Sequence, residues 1–246
     1  MMYHGIGGLD GVSVESLQSQ LAMLKARKRV VPLAEAVQML GQPAARDVAA
    51  ITFDDGYRDF AELAMPALSA LRLHATLFVP GAWLGQTNRW DAGCAAERSI
   101  LTGRELQELD PTLVTVGAHG LTHRRLTRLD AATLHDETAL ARKILEDACG
   151  RAVTLFAYPH GQSDDFDTVA ERAVEAAGFI AACSTRFGRG SHPSERFRLR
   201  RVGITAMDSL DVVGQKMDGA YDWIAWKESA GARVRGWRRA ATSRRP

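Results

Sequence analysis

The chain has 246 residues, 46% of them hydrophobic and 24% charged, a composition ordinary for a globular protein with a sizeable core. A formal net charge of +2 gives no reason to expect nucleic-acid binding, and no apolar run approaches the length of a membrane span. Three scattered cysteines, Cys94, Cys149 and Cys183, lack metal-type spacing and read as small side chains in a reducing compartment.

The chain opens MMYHGIGG and carries His4 where chains usually fray unless something ties them down. No basic segment followed by an apolar one precedes it, so a cytoplasmic location is expected if Met1 is the natural start. SVESLQSQLAMLKA (13–26) then sets Leu17, Leu21 and Leu24 on one helical face. VAAITF (48–53) reads as a strand, 59–72 as a helix and ATLFV (75–79) as a second strand. Thr102 followed by Glu105 fits a capping box opening a short helix. TLVTV (112–116), AVTLFA (152–157) and FIAAC (179–183) read as further strands, separated by helical patterns over 130–148 and 165–177. Strands alternating with helices imply a parallel sheet. At this length the expected α/β fold is a closed or nearly closed barrel, with an open doubly wound sheet as the rival. Either fold places chemistry at the carboxyl ends of the strands.

Polar residues gather at those ends. VAAITF is followed by Asp54-Asp55-Gly56, TLVTV by Gly117-Ala118-His119 and then His123, and AVTLFA by Tyr158-Pro159-His160-Gly161. Adjacent aspartates leave a strand in different directions, so one can bind a metal while the other acts as a base. The bland alternative is a turn, for which Asp-Asp-Gly is good chemistry. His119 and His123, four apart, come to one side in a helical turn or a compact loop. Two imidazoles with one carboxylate form a familiar zinc set that leaves a position open, and the nearby aspartate pair favours this over two surface histidines. His74, His135 and His192 read as structural or solvent-exposed.

ITFDDG, HGLTH and FAYPHG, in that order, resemble the polysaccharide deacetylase superfamily (chitin-deacetylase-like, carbohydrate esterase family four). The resemblance runs from the early YH to AYDW at 220–223. It implies a distorted (β/α) barrel of about seven strands. By the same resemblance Asp54 is the catalytic base, and Asp55, His119 and His123 are the ligands of one divalent ion. Zn2+ is expected, with Co2+, Ni2+ or Mn2+ as alternatives. Tyr158, Pro159 and His160 fall in the oxyanion and substrate-binding motif, where the His160 backbone N–H is the donor.

The departures are informative. Gly120 stands where the second motif usually has Ser or Thr. Ala157 stands where the third often has an arginine that orients the base, and Arg200 or Arg201 of RLRRVGI are candidates to replace it. No C-terminal Leu-x-His is found. FAYPHG is close to the motif of the branch resembling exopolysaccharide and biofilm-polymer deacetylases, in which an early YH supplies the general acid. That makes His4 the candidate acid, delivered by a short first strand, with the His160 side chain as rival. Gly5 stands where relatives carry a larger residue.

The implied reaction is hydrolysis of an N-acyl group, most simply acetyl, on an amino sugar or glycan. An O-deacetylase, an N-deformylase and a catalytically degenerate glycan-binding member are the alternatives. Trp83 and Trp90 are candidates for a sugar platform, against partial burial as the plain reading. The catalytic domain is expected over 1–228 and a basic tail over 229–246, with six arginines and no acid from Gly231 onward. With Trp226 and Trp237, the tail could contact an anionic membrane carrying a lipid-linked substrate, or it is simply solvated.

Overall fold

The computed structural model describes residues 1–91, 93, 96–189, 192–225 and 227. Seven parallel strands form one sheet: β1 (Met2–Tyr3), β2 (Ile51–Phe53), β3 (Ala75–Val79), β4 (Val114–Ala118), β5 (Leu155–Ala157), β6 (Ala181–Phe187) and β7 (Leu199–Arg201). They are neighbours in chain order. The two edges meet, because Met2 pairs with Thr52 on one side and bridges to Gly203 on the other. The Met2 N–H donates to the Val202 carbonyl at 2.9 Å, and the Ile204 N–H donates to the Met2 carbonyl at 2.9 Å. This closure decides for the distorted barrel over an open sheet.

A strand of two residues is short for such a task. Its hold comes from Tyr3, which is fully buried and stacks on Phe53 at 5.2 Å, while Phe53 meets Phe60 edge-on at 4.9 Å. Burying aromatics of this size contributes about 1.5–3 kcal/mol each. Side chains alternate along a strand, so burying Tyr3 turns His4 the other way.

Helices α1 (Val14–Arg27), α2 (Leu33–Gln38), α3 (Met65–Leu71), α4 (Gly103–Glu108), α5 (Ala131–His135), α6 (Ala141–Cys149), α7 (Thr168–Ala176) and α8 (Leu210–Asp218) accompany the sheet. α1 buries Leu17, Leu21 and Leu24, the face its spacing announces. Thr102 and Glu105 form the capping box at the start of α4. α3 continues from a π turn at Phe60–Ala64, and α5 passes through another at Asp136–Leu140 into α6. In β3, Leu77 and Val79 join the main core while Phe78 joins a smaller cluster with Leu33 of α2, Leu155 and Leu199. That is the period-two alternation of a strand covered on both faces.

Several boundaries differ from the pattern in the sequence. VAAITF divides at Ala50: Val48–Ala49 pairs with Arg29–Val30 as a separate parallel ribbon, and only Ile51–Phe53 enters the barrel. TLVTV starts two residues late, because the Asp110 carboxylate accepts the Thr112 backbone N–H at 2.8 Å and holds a turn there. β4 therefore runs through Ala118, and His119 leaves directly from its end. β6 begins at Ala181 and extends to Phe187. β7, α2 and α8 lack a strong sequence signature, and RLRR conceals a strand behind its charges.

Among the described residues no helix is long and apolar enough to cross a membrane. Cys149 and Cys183 are buried free thiols, and burial pushes the Cys183 thiol up to about 11. Cys94, Trp226, Trp237 and the tail lie outside the described residues.

Candidate active site

Asp54 and Asp55 follow β2, both nearly inaccessible to solvent. Asp54 faces Arg201 at the end of β7, with Nη1 to Oδ1 at 2.6 Å and Nη2 to Oδ2 at 2.7 Å. The guanidinium also donates to the Ser184 carbonyl at 2.8 Å and to Thr52 Oγ1 at 3.0 Å. Of the two candidate arginines, Arg201 is thus the one paired with Asp54, whereas Arg200 donates to the Phe187 carbonyl at 3.2 Å. Burial alone would raise the Asp54 carboxyl. The charge and hydrogen bonds of Arg201 outweigh it and hold the group below the ordinary carboxylate range. Asp54 is therefore ionised, aimed and unable to reorient freely.

Asp55 has a positive φ of 73°, a strained conformation for a residue other than glycine and one that clusters at functional sites. Its Oδ1 lies 3.4 Å from His119 Nε2 and 3.2 Å from His123 Nε2. Burial raises its carboxyl, but the two imidazole contacts more than reverse that and leave it well below the usual range. Tyr57 lies beside it: burial first, then the Asp55 charge, raises the Tyr57 phenol.

The donor set fits a divalent cation. One nitrogen from each imidazole and one carboxylate oxygen lie within 4.8 Å of one another, all on buried residues. His119 Nδ1 is paired with the Ala157 carbonyl at 2.8 Å, which makes Nδ1 the donor and leaves the Nε2 lone pair facing Asp55. Acceptors converging on one buried point call for a cation between them.

His123 arrives through a compact loop and not a helical turn, at a φ of 61°. The Gly81 and Ala82 N–H groups donate to the Gly120 and Leu121 carbonyls at 3.1 and 2.8 Å. From inside, the buried Glu137 carboxylate accepts the Leu121 N–H at 2.8 Å, the Thr122 N–H at 3.0 Å and the Thr122 hydroxyl. Arg124 adds a charge contact to Glu137 at 3.3 Å. Gly120 adopts a φ of 72°, and a Cβ there would lie 2.9 Å from Glu137 Oε2 and 3.1 Å from Pro159 Cγ. Glu137 thus steadies the loop in place of a hydroxyl side chain at 120. Sequence reasoning missed this residue, because a lone glutamate inside a helical pattern carries no signal.

Trp90 stacks on His123 at 4.4 Å between ring centroids and meets Trp83 edge-on at 5.3 Å. The His160 ring lies 5.0 Å from His123 on another side. Burial, then the neighbouring His123, lowers the His160 imidazole from its ordinary value. His160 has a φ of 59°, and its carbonyl accepts the Thr185 hydroxyl at 2.5 Å. Tyr158 is turned inward: its hydroxyl donates to the Phe197 carbonyl at 2.9 Å and its ring lies on Phe166 at 3.9 Å. Its contribution is to hold the turn that presents Pro159 and His160. His4 is about half exposed, with Nε2 3.9 Å from Asp54 Oδ2. His74 Nε2 lies 3.2 Å from Thr115 Oγ1 and His192 Nδ1 lies 2.8 Å from Ser194 Oγ; His135 contacts Asp136 at 3.7 Å.

A cavity of about 640 Å³ lies between the sheet and α2, lined by Thr52, Arg201, Leu33 and Val37 among others. None of Asp55, His119 and His123 lines it, so the constellation is a separate surface at the strand ends.

A family model described as polysaccharide deacetylase matches residues 41–181. The putative polysaccharide deacetylase YxkH of Bacillus subtilis (strain 168) is 26% identical over 155 residues, covering 63% of this chain. The chain spans about half of that relative, 50% of its length. Among solved structures, the Streptococcus pyogenes deacetylase PplD in complex with acetate superposes with a TM-score of 0.73 at 20% identity, covering 88% of this chain and 96% of that one. IcaB from Ammonifex degensii superposes with a TM-score of 0.73 at 21% identity, over 88% and 94% of the two chains. At such identities these structures establish the shared fold. With more than half of its length matched by the family model, the chain belongs to the polysaccharide deacetylase family.

Proposed function

We propose that this protein is a metal-dependent hydrolase that removes an N-acyl group, acetyl foremost, from an amino sugar of a glycan or glycan precursor. One observation carries the reading: the buried Asp54, next in sequence to the Asp55 of the Asp55–His119–His123 cluster, lies 3.9 Å from a half-exposed His4. A base, a cation site and an acid therefore share one strand-end surface.

A divalent ion held by Asp55, His119 and His123 would supply Lewis acidity toward the acyl oxygen and lower the pKa of water. Asp54 accepts a proton from the attacking water, and Arg201 keeps its oxygens aimed during that transfer. The His160 backbone N–H donates to the oxygen on which negative charge develops as the carbonyl carbon becomes tetrahedral. Collapse breaks the C–N bond. An amine leaves only when protonated, so His4 delivers the proton, a common task of histidine in general acid catalysis. The products are acetate and the free amino sugar. Trp90 and Trp83 offer aromatic faces for the pyranose, with Trp90 fixed by its stack on His123.

The test is His4→Ala. Turnover on an N-acetylated amino sugar is expected to fall at least ~100-fold, the low end for general acid catalysis, with metal content unchanged. Near-normal turnover would transfer the acid role to His160. An O-deacetylase is the competing reading, since an alkoxide leaves with less help. Paired assays on N- and O-acetyl substrates separate the two.

A further inference from the structure

Arg98 lies far from the metal-binding cluster in sequence and in the usual motifs, yet it organises the segment that follows His4. Its side chain is only 13% exposed. One terminal nitrogen donates to Asp59 and reaches the Ile6 carbonyl at 3.5 Å. The other donates to the Gly7 carbonyl at 2.9 Å and to Asp10. A single planar guanidinium thereby pins three points of the 5–11 loop to the start of the helical segment that carries Asp59. The loop is otherwise closed by a bridge between Ile6 and Val12.

Gly5 provides a second, independent observation. A Cβ on Gly5 would stand 2.7 Å from Arg98 Nε and 2.8 Å from Nη1. The guanidinium therefore occupies the volume that a side chain next to His4 would fill. This close approach is what calls for glycine at position 5.

Arg98 is also tied to the other wall of the site. Its backbone N–H donates to Asn88 Oδ1 at 2.8 Å and its carbonyl accepts the Asn88 N–H at 3.1 Å. Asn88 Nδ2 meets the Tyr57 hydroxyl at 3.4 Å, and the Arg98 guanidinium lies 5.7 Å from the Tyr57 ring centroid. Trp90 follows two residues after Asn88.

We infer that Arg98 is a positioning residue for the His4 acid, acting by packing into the space left by Gly5 and clamping the 5–11 loop. The inference rests on the assignment of His4 above. β1 contributes only two paired residues, so the clamp supplies rigidity that the strand itself lacks. A multidentate arginine suits this role, because a lysine cannot reach two carboxylates and two carbonyls with one planar fork.

The experiment compares an N-acetyl amide with an activated aryl acetate, whose leaving group needs no proton, and measures metal content alongside. Arg98→Ala is expected to lower kcat on the amide by ~10- to 100-fold, the cost of misplacing a catalytic group by about an ångström. The aryl acetate rate and metal content stay nearly unchanged, and Arg98→Lys recovers part of the loss. Gly5→Ala leaves Arg98, Asp10 and Asp59 in the sequence but pushes the guanidinium aside, and it tests the same contact if Arg98→Ala fails to fold. It is expected to show the same amide-selective loss and to add nothing further in the Arg98→Ala background. Equal losses on both substrates, loss of metal, or additive effects of the two changes would overturn the inference while leaving His4 in place. A His4→Ala variant with normal amide turnover would instead overturn the acid assignment, and this inference with it.

Discussion

Arg201 grips both carboxylate oxygens of Asp54 across 147 residues of sequence, with two hydrogen bonds of 2.6 and 2.7 Å. The pair joins the last barrel strand to the second, and both partners are buried. Removing one partner of such a pair leaves an uncompensated charge in the interior, which typically costs about 3–5 kcal/mol. Arg201→Met is therefore expected to lower stability by roughly that amount at pH 7, and to abolish most of the activity by releasing the base. Thermal melts and turnover check this together.

The pH dependence follows from the same pair. The folded Asp54 carboxyl lies below its unfolded value, so the pair's contribution is fully present above the unfolded value and fades as pH falls through the folded one. The wild type should therefore lose stability toward acid more steeply than Arg201→Met across that window. Parallel acid-side melts that superpose, after correction for the difference at pH 7, would contradict the pairing.

Glu137 is expected to govern the second histidine. Glu137→Ala would strand the Leu121 and Thr122 N–H groups, and each buried unsatisfied donor costs about 1–3 kcal/mol. Metal affinity should fall ~10- to 100-fold, as for other residues that orient a ligand from behind. Metal titration followed by melting reads both effects, and an unchanged affinity would remove Glu137 from the site.

Gly120→Ser would supply the hydroxyl that the family resemblance implies at this position, yet a loss is expected. The new Cβ would press on Glu137 and Pro159 and force a non-glycine residue to a φ of 72°, a conformation costing about 1–3 kcal/mol. A gain in stability or activity would show that the loop tolerates either device.

Metal removal should act on stability as well as on turnover. A chelated sample is expected to melt below one supplied with Zn2+. At a hundredfold excess of ion over its dissociation constant the difference is about 2.7 kcal/mol. Asp55→Asn should show no such shift, because a neutral amide cannot replace the carboxylate among converging imidazoles.

The polar residues gathered at the strand ends were legible because they sit in short local motifs. Asp54-Asp55, His119-x3-His123 and Tyr158-Pro159-His160 each follow a strand, and a parallel barrel brings consecutive strand ends together whatever the detailed packing. Strand edges were less legible. Asp110 delays β4 by two residues through one side-chain hydrogen bond, and Ala50 marks a division in VAAITF that hydrophobicity does not show.

Residue types and spacing by themselves determined the fold class and the set of candidate ligands. It was the family resemblance, and not spacing, that drew attention to His4, Gly5, Gly120 and Ala157. Only the tertiary structure decided what answers each of them: Arg98 fills the space beside Gly5, Glu137 holds the loop at Gly120, and Arg201 pairs with Asp54 where Ala157 cannot. All three answers come from residues distant in sequence, through contacts of charge and volume that no local pattern encodes. The same is true of His4. Its place in a site depends on Met2 being hydrogen-bonded on both sides, which makes Met2–Tyr3 the strand that closes the barrel.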